Sequence, residues 1–180
     1  EFAISSKSFY QVNPIQANVL YDKVIEFAQF KPTDIVMDLY CGVGTIALYI
    51  SKFVKQVIGV EVIPEAIEDA KQNAKRNQIT NASWITGDAG EAARKLHDEG
   101  IGIDVIVVDP PRKGLNQPTI DAIVDISPRN IVYVSCDPGT LARDLAIFSE
   151  KGYQVEIVQP VDMFPQTVHC ESVTLLTRKG

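Results

Sequence analysis

The sequence alternates between short apolar runs and longer segments with the period of a helix. Runs rich in β-branched residues fall at residues 35–39, 56–60, 83–86, 104–108 and 131–135. Each has the length of a strand that is buried on both faces, as strands of parallel sheets are. Helix-length segments lie between and after these runs, at residues 45–53, 64–77, 90–98, 117–126 and 138–150. This order predicts βαβ units around a mostly parallel sheet.

Both ends of the chain depart from this alternation. A first helix is predicted near the amino terminus, where Asn13 can cap it, Pro14 suits its first turn and a Lys-Pro dipeptide ends it. Two strand-like runs at residues 154–158 and 172–177 have no helical segment between them, which indicates an antiparallel hairpin. The expected fold class is therefore α/β: one doubly wound, Rossmann-like domain with mostly parallel strands and a carboxyl-terminal hairpin.

The composition narrows the cellular setting and the kind of ligand. The chain has 180 residues and 46% hydrophobic content, enough for one domain with its own core. No apolar run reaches the length of a membrane span and no secretory signal is visible, so a cytoplasmic protein without membrane contacts is expected. Cys41, Cys136 and Cys170 lie far apart, which predicts free thiols and no metal site. A net charge of -6 disfavours holding nucleic acid through phosphates alone.

A glycine-containing turn is predicted between the first strand and the next helix. It reads Asp38-Leu39-Tyr40-Cys41-Gly42-Val43-Gly44-Thr45, and its glycines allow a ligand close to the backbone at a helix amino terminus. Glu61 follows Gly42 by 19 residues, the spacing at which an acid contacts ribose hydroxyls. Both NAD and S-adenosylmethionine fit this much of the pattern.

Acidic residues at other strand ends favour one of these two ligands. Asp88 follows the third strand, Asp109 follows the fourth, and Asp38 lies just before the glycine turn. S-adenosylmethionine carries a sulfonium and an ammonium but no phosphate, whereas the pyrophosphate of NAD would be repelled by these carboxylates. Asp38 could meet the ammonium directly or through water. The pattern therefore predicts a methyltransferase ahead of an NAD-dependent dehydrogenase.

The residues that follow the fourth and fifth predicted strands are candidates for a role in catalysis. Asp109-Pro110-Pro111-Arg112 is similar to the loop of amino methyltransferases that act on bases, but arginine stands where those enzymes have an aromatic residue. Ser135-Cys136-Asp137-Pro138 places a cysteine at the end of the fifth strand, on the side where such sheets bind ligands. The position before a helix favours the thiolate of Cys136, while the charge of Asp137 opposes it.

The motifs together resemble the RNA uracil-5 methyltransferases, the bacterial family that makes 5-methyluridine in ribosomal and transfer RNA. Besides the glycine turn, the Asp109 loop and the Cys136 motif, the resemblance includes Phe9-Tyr10-Gln11-Val12-Asn13 and His169-Cys170-Glu171. The motifs span nearly the whole chain. They match the catalytic domain alone, so the chain is expected to be a fragment that lacks the RNA-binding modules of the family.

The resemblance implies a role for each matching residue. Cys136 is implied as the nucleophile and Glu171 as the general base. The implied cofactor is S-adenosyl-L-methionine, with contacts from Gln11, Asp38, Tyr40, Gly42, Gly44, Thr45, Glu61, Asp88 and Asp109. Asp109 could contact either the cofactor or uracil N3-H.

The chemistry of uracil requires such a pair of residues. Carbon 5 is a poor nucleophile until a thiolate adds at carbon 6, and a base must later remove the proton from carbon 5. The target uridine must be single-stranded or flipped out of a helix, and ribosomal RNA is expected ahead of transfer RNA. An alternative of another class is a non-catalytic RNA-binding or ribosome-assembly module with the same fold.

Overall fold

A computed structural model describes residues 13–180. The helices are α1 Pro14–Ala28, α2 Thr45–Ile50, α3 Pro64–Arg76, α4 Ala89–Asp98, α5 Gln117–Ile126 and α6 Pro138–Glu150. The strands are β1 Ile35–Leu39, β2 Gln56–Glu61, β3 Ala82–Thr86, β4 Val105–Val108, β5 Asn130–Ser135, β6 Tyr153–Val161 and β7 Glu171–Arg178. None of the helices in this part of the chain has the length and apolar content needed to cross a bilayer.

The strands form one seven-stranded sheet in the order β3-β2-β1-β4-β5-β7-β6. β1 to β5 pair in parallel, while β7 runs antiparallel to both β5 and β6. Successive residues of a strand point to opposite faces. Val36 accordingly packs under α1 and α2 on one face, whereas Met37 packs under α4, α5 and α6 on the other. The predicted fold class, a doubly wound and mostly parallel sheet with an antiparallel hairpin, is confirmed.

Most predicted elements lie within a residue or two of their predicted bounds. Asn13 caps α1 as predicted, and its side chain accepts a hydrogen bond from the Gln16 N–H at 3.3 Å. The α-helix predicted over residues 45–53 is too long, because α2 ends at Ile50 and continues as a 3-10 turn, Ser51–Phe53. β6 is longer than predicted and contains an irregularity in its pairing between Val155 and Ile157.

The hairpin strands do not follow chain order in the sheet. β7, the last strand, lies beside β5, and β6 forms the edge. Residues 171–176 of β7 are buried, whereas most of β6 is exposed. The more apolar strand therefore takes the inner position, where it is flanked by β5 on one side and β6 on the other.

Candidate active site

The predicted site residues of the described part of the chain gather along one edge of the sheet. This edge is formed by the carboxyl ends of β1 to β5 together with the amino end of β7. From one side to the other it presents Asp88, Glu61, the turn after β1, Asp109, Cys136 and Glu171. Gln11 and the rest of its motif, residues 9–12, lie outside the described residues. We call the part over β1, β2 and β3 the cofactor half, and the part over β4, β5 and β7 the reaction half.

The turn after β1 is built from residues with left-handed backbone. Tyr40, Gly42 and Gly44 have φ angles of 66°, 53° and 81°. For the aromatic Tyr40 this conformation costs on the order of 1–2 kcal/mol, a strain that tends to occur at functional sites. A Cβ on Gly44 would lie 2.5 Å from the Trp84 ring, while a Cβ on Gly42 would meet nothing within 4 Å among the described residues. Gly44 is thus required for packing, whereas residues 13–180 leave open space beside Gly42.

Glu61 braces this turn. One of its carboxylate oxygens accepts from the Gly42 N–H at 3.1 Å, and the other accepts from the N–H groups of Val62 and Ile63 at 2.9 and 3.0 Å. A carboxylate has about four lone-pair positions, so Glu61 keeps capacity for a ligand hydroxyl. The acid with the ribose-binding spacing therefore also fixes the glycine turn.

Two other predicted cofactor contacts lie at helix starts. The Asp88 side chain is the N-cap of α4 and accepts from the Gly90 and Glu91 N–H groups at 2.9 and 3.1 Å. Thr45 is the first residue of α2 and is half-buried. The cap fixes one Asp88 oxygen at this edge, on an exposed residue that can face a ligand.

Asp38 is a fully buried carboxylate, and neither of its oxygens makes a hydrogen bond within the described structure. Burial raises the pKa of Asp38 well above its ordinary value, and the charges of Asp109 and Glu61 raise it further. The nearby Ala47 N–H opposes this shift without reaching hydrogen-bond geometry. An orphaned carboxyl group of this kind is costly unless a cation or donor joins it, so the cofactor half fits a ligand with a positive charge.

The reaction half arises from the pairing of β5 with β7. Ser135 pairs with Ser172 at the end of the antiparallel ladder, so the next facing positions are Cys136 and Glu171. Facing residues in such a ladder have Cβ atoms about 4.5–5.5 Å apart. Cys136 is partly exposed, and Glu171 is only 4% exposed. The sheet thus brings a thiol and a buried carboxylate together from positions far apart in the sequence.

The charges in the reaction half influence one another. Burial raises the pKa of Cys136, and the carboxylates of Glu171 and Asp109 raise it further, while the Arg112 guanidinium opposes them. Burial also raises the pKa of Glu171, again with Arg112 acting in the opposite direction. The pKa of the partly exposed Asp109 rises to about 7 through burial and the charge of Glu171. The surroundings of Cys136 therefore favour its thiol over its thiolate.

Two influences on the pKa of Cys136 are predicted from the sequence: the start of α6 and the charge of Asp137. In the structure other groups have the larger influence on this pKa. Asp137 is the N-cap of α6, and its carboxylate accepts from the Thr140 N–H at 2.9 Å. This bond holds the pKa of Asp137 below its usual range. Burial and the facing carboxylates raise the pKa of Cys136 instead.

Two participants at this edge were missed by sequence reasoning. Arg112 enters the sequence analysis only as a departure from the loop of amino methyltransferases, yet its charge reaches both Cys136 and Glu171. Its place four residues after the end of β4 was the available signal. Trp84 pairs with Gly59 in the sheet, and its ring covers Gly44. A large residue facing two glycines was the signal for this contact.

The sequence is similar to known proteins over almost its whole length. Residues 1–179 match the family model described as tRNA (uracil-5-)-methyltransferase. An uncharacterized RNA methyltransferase of Clostridium acetobutylicum is 54% identical over 99% of this chain, and one of Bacillus cereus is 52% identical over the same share. The chain spans 39% of the length of each of these curated relatives.

The fold is also similar to that of solved structures. The Pyrococcus abyssi tRNA (uracil-54, C5)-methyltransferase in complex with S-adenosyl-L-homocysteine is 34% identical, with a TM-score of 0.83 over 98% of this chain and 42% of that chain. A precorrin-8w decarboxylase of Methanobacterium thermoautotrophicum has a TM-score of 0.75 over 99% of this chain and 97% of that chain, at 20% identity, and shares the fold alone. The resemblance drawn from the motifs is confirmed: the chain belongs to the tRNA (uracil-5-)-methyltransferase family.

Proposed function

We propose that the complete protein methylates carbon 5 of uridine in RNA, with S-adenosyl-L-methionine as the methyl donor. The observation that supports this most strongly is the ladder between β5 and β7, whose last pair, Ser135 and Ser172, is followed by the facing positions Cys136 and Glu171. The pair lies at the same sheet edge as an acid-lined glycine turn. Family membership agrees with this arrangement.

The cofactor half has the features that S-adenosylmethionine requires. Within residues 13–180, Asp38 offers the ammonium a buried carboxylate that has no hydrogen-bond partner, and Gly42 leaves open space beside the turn. Glu61 is suited to the ribose hydroxyls. The remaining proposed contacts are Gln11, Tyr40, Gly44, Thr45, Asp88 and Asp109. When bound, S-adenosylmethionine supplies an electrophilic methyl group.

Cys136 begins the reaction on the base. Its thiolate forms a bond from Sγ to carbon 6 of uracil, and the electron pair of the 5,6 double bond passes into an enolate. Carbon 5 of this adduct is nucleophilic and takes up the methyl group. Since the thiol has a raised pKa, a proton must leave it first, and Glu171 and Asp109 are the neighbouring carboxylates.

Glu171 completes the substitution. It removes the proton from carbon 5 of the methylated adduct, the 5,6 double bond re-forms, and the bond between carbon 6 and Sγ breaks to release Cys136 as a thiolate. A raised pKa suits this task, because a carboxylate with raised pKa is a stronger base than an exposed one.

Asp109 lies between the two halves of the site. Its pKa of about 7 leaves a large protonated fraction at neutral pH, so its carboxyl group can donate a hydrogen bond as well as accept one. It can therefore contact a uracil oxygen, uracil N3-H or the cofactor. Reaching carbon 6 requires a base outside a helical stack, so the target uridine is single-stranded or flipped out.

Mass spectrometry of nucleosides tests this function. Ribosomal and transfer RNA are purified separately from cells with and without the gene, and 5-methyluridine is measured in each. We expect loss of 5-methyluridine from one class. Restoration by the wild-type gene but not by Cys136→Ala supports the enzyme, whereas restoration by Cys136→Ala, or no change on deletion, would refute it.

The same purified protein separates the competing ligands. Under this proposal S-adenosylmethionine raises the melting temperature of the complete protein and NAD does not. A rise with NAD alone would favour the dehydrogenase alternative. A rise with S-adenosylmethionine in a protein that leaves RNA unmodified would favour the non-catalytic module.

A further inference from the structure

A buried carboxylate on α6 joins three parts of the reaction half. Asp144 is fully buried. Its Oδ1 accepts from Arg143 Nε at 2.8 Å and from Arg143 Nη2 at 2.7 Å. Its Oδ2 accepts from the Leu115 N–H at 2.8 Å and from the Tyr133 hydroxyl at 2.6 Å. One side chain thus links α6, β5 and the loop after β4.

Arg143 continues this contact along the loop. Its Nη2 donates to the carbonyl oxygens of Lys113 and Leu115 at 2.9 and 3.1 Å. Gly114 between them has a φ of 71°, and a Cβ there would lie 2.6 Å from both Arg143 Nη2 and Asp144 Oδ2. The backbone of the loop therefore comes as close to the ion pair as glycine allows.

The elements joined in this way are those that bear the reactive groups. The loop begins at Asp109 and includes Arg112, while α6 begins two residues after Cys136. Thr140 Oγ1, in the first turn of α6, donates to the Arg112 carbonyl at 3.0 Å. None of these bonds uses the carboxyl of Asp109 or the guanidinium of Arg112, and the charges of both groups act on Cys136.

We propose that Asp144 is a positioning residue that fixes loop residues 109–116 against α6, and thereby sets Asp109 and Arg112 against Cys136 and Glu171. Its chemical part rests on the proposed function; the anchoring of the loop does not. Displacement of reacting groups by about 1 Å can slow a reaction by about 10²-fold, so a loosened loop slows thiol addition without changing the cofactor half.

The opposite edge of the sheet offers a matched control. Asp34 precedes β1, is 2% exposed and receives Arg129 Nη1 and Nη2 at 2.9 and 2.6 Å. The Lys31 N–H donates to it at 2.6 Å. Asp34 therefore resembles Asp144 in burial, arginine pairing and backbone bonding, yet it lies at the amino ends of the strands. Breaking either ion pair destabilises the fold, and only the Asp144 pair touches the loop.

The first test measures anchoring by amide hydrogen exchange in the complete protein. Asp144→Asn keeps an oxygen for the Leu115 N–H but removes the charge that holds Arg143. We expect amides of residues 113–116 to exchange about tenfold faster or more in Asp144→Asn than in wild type, and to be unchanged in Asp34→Asn. Equal exchange of these amides in wild type and Asp144→Asn would overturn the anchoring.

The second test measures thiol addition with RNA that contains 5-fluorouridine. We expect Asp144→Asn to form the covalent adduct about 10- to 100-fold more slowly than Asp34→Asn, with the Kd for S-adenosylmethionine within about twofold of wild type. If adduct formation is slowed equally in both variants, or if cofactor affinity falls in parallel, Asp144 has only a structural role and the proposal is wrong. A wild type that forms no adduct would refute the proposed function, and the exchange test would still decide the anchoring.

A second variant keeps the inference testable if Asp144→Asn fails to fold. Arg143→Lys retains a positive charge beside Asp144 but loses the planar fork on Asp144 and the Nη2 group that reaches both loop carbonyls. It should show the same two effects in smaller size. A folded Arg143→Lys protein with wild-type exchange and wild-type adduct formation would contradict the proposal.

Discussion

The two halves of the sheet edge are assembled in different ways. The cofactor half is local, because a single βαβ unit supplies the glycine turn and Glu61, and backbone N–H groups hold that acid in place. The reaction half depends on distant pairing, because Cys136 and Glu171 take facing positions only through the ladder between β5 and β7, whose last pair is Ser135 and Ser172. Changes in the first half should therefore alter cofactor affinity, and changes in the second should alter the chemistry on the base.

The largest effect is expected from Cys136→Ala. Without the thiol no adduct forms, and methyl transfer from labelled S-adenosylmethionine to RNA should fall by about 10³-fold or more. Cofactor affinity should stay near wild type, because Cys136 lies in the reaction half. Cys170→Ala, which removes the cysteine next to Glu171, is the control and should keep most of the activity. Appreciable methylation by Cys136→Ala would contradict the assignment.

Glu171→Gln should separate adduct formation from product release. Glutamine cannot take the proton from carbon 5, so turnover with ordinary RNA should fall by about 10²- to 10⁴-fold while a covalent protein–RNA complex accumulates. Denaturing electrophoresis detects that complex. A variant that turns over normally, or one that cannot form any adduct, would show that Glu171 has another role.

The pH dependence of adduct formation should also change in Glu171→Gln. Glu171 is the largest charge that raises the pKa of Cys136, so its removal lowers that pKa and increases the thiolate fraction at a given pH. The rate of adduct formation rises with pH in wild type as the thiol ionises, and in the variant this rise should occur at lower pH. An unchanged profile would mean that the two groups do not interact.

Asp38→Asn tests the cofactor half. It removes the negative charge proposed to meet the ammonium, so the Kd for S-adenosylmethionine should rise by about tenfold. The raised pKa means that Asp38 favours folding only while protonated, and this contribution is lost as the pH rises through its folded pKa. The variant should therefore melt at a higher temperature than wild type at alkaline pH. An unchanged Kd for S-adenosylmethionine would show that Asp38 does not contact the cofactor.

The smallest effects should come from the two glycines of the turn. Gly44→Ala places a methyl group against the Trp84 ring, so it should lower the melting temperature. Gly42→Ala meets none of the residues that the structure describes and should cost only the strain of its left-handed backbone, about 1–2 kcal/mol. It should nevertheless weaken cofactor binding more than stability. Equal melting temperatures of the two variants would contradict this packing.

The sequence carries stronger local signals for the cofactor half than for the reaction half. A strand, a turn with Gly42 and Gly44, and an acid at the end of the next strand are local signals with fixed spacing. The facing positions of Cys136 and Glu171 have no such signal. Sequence reasoning predicted the terminal hairpin without its place in the sheet, and Glu171 would lie one strand farther away if β6 had paired with β5.

The order of the hairpin strands could have been inferred from their polarity. Residues 172–177 of β7 read Ser-Val-Thr-Leu-Leu-Thr, with no charge, whereas Glu156 interrupts β6. An inner strand must be buried on both faces, which favours β7 beside β5. The anchoring of the Asp109 loop by Asp144 could not have been predicted, since it depends on how α6 packs against a loop.

Covalent trapping tests the central claim most directly. The complete protein is incubated with S-adenosylmethionine and RNA that contains 5-fluorouridine, and the cross-linked peptide is sequenced by mass spectrometry. Fluorine at carbon 5 cannot leave as a proton does, so the account predicts a methylated fluorouridine bonded to Cys136. A cross-link on any other residue, or no cross-link from a protein that methylates ordinary RNA, would contradict it.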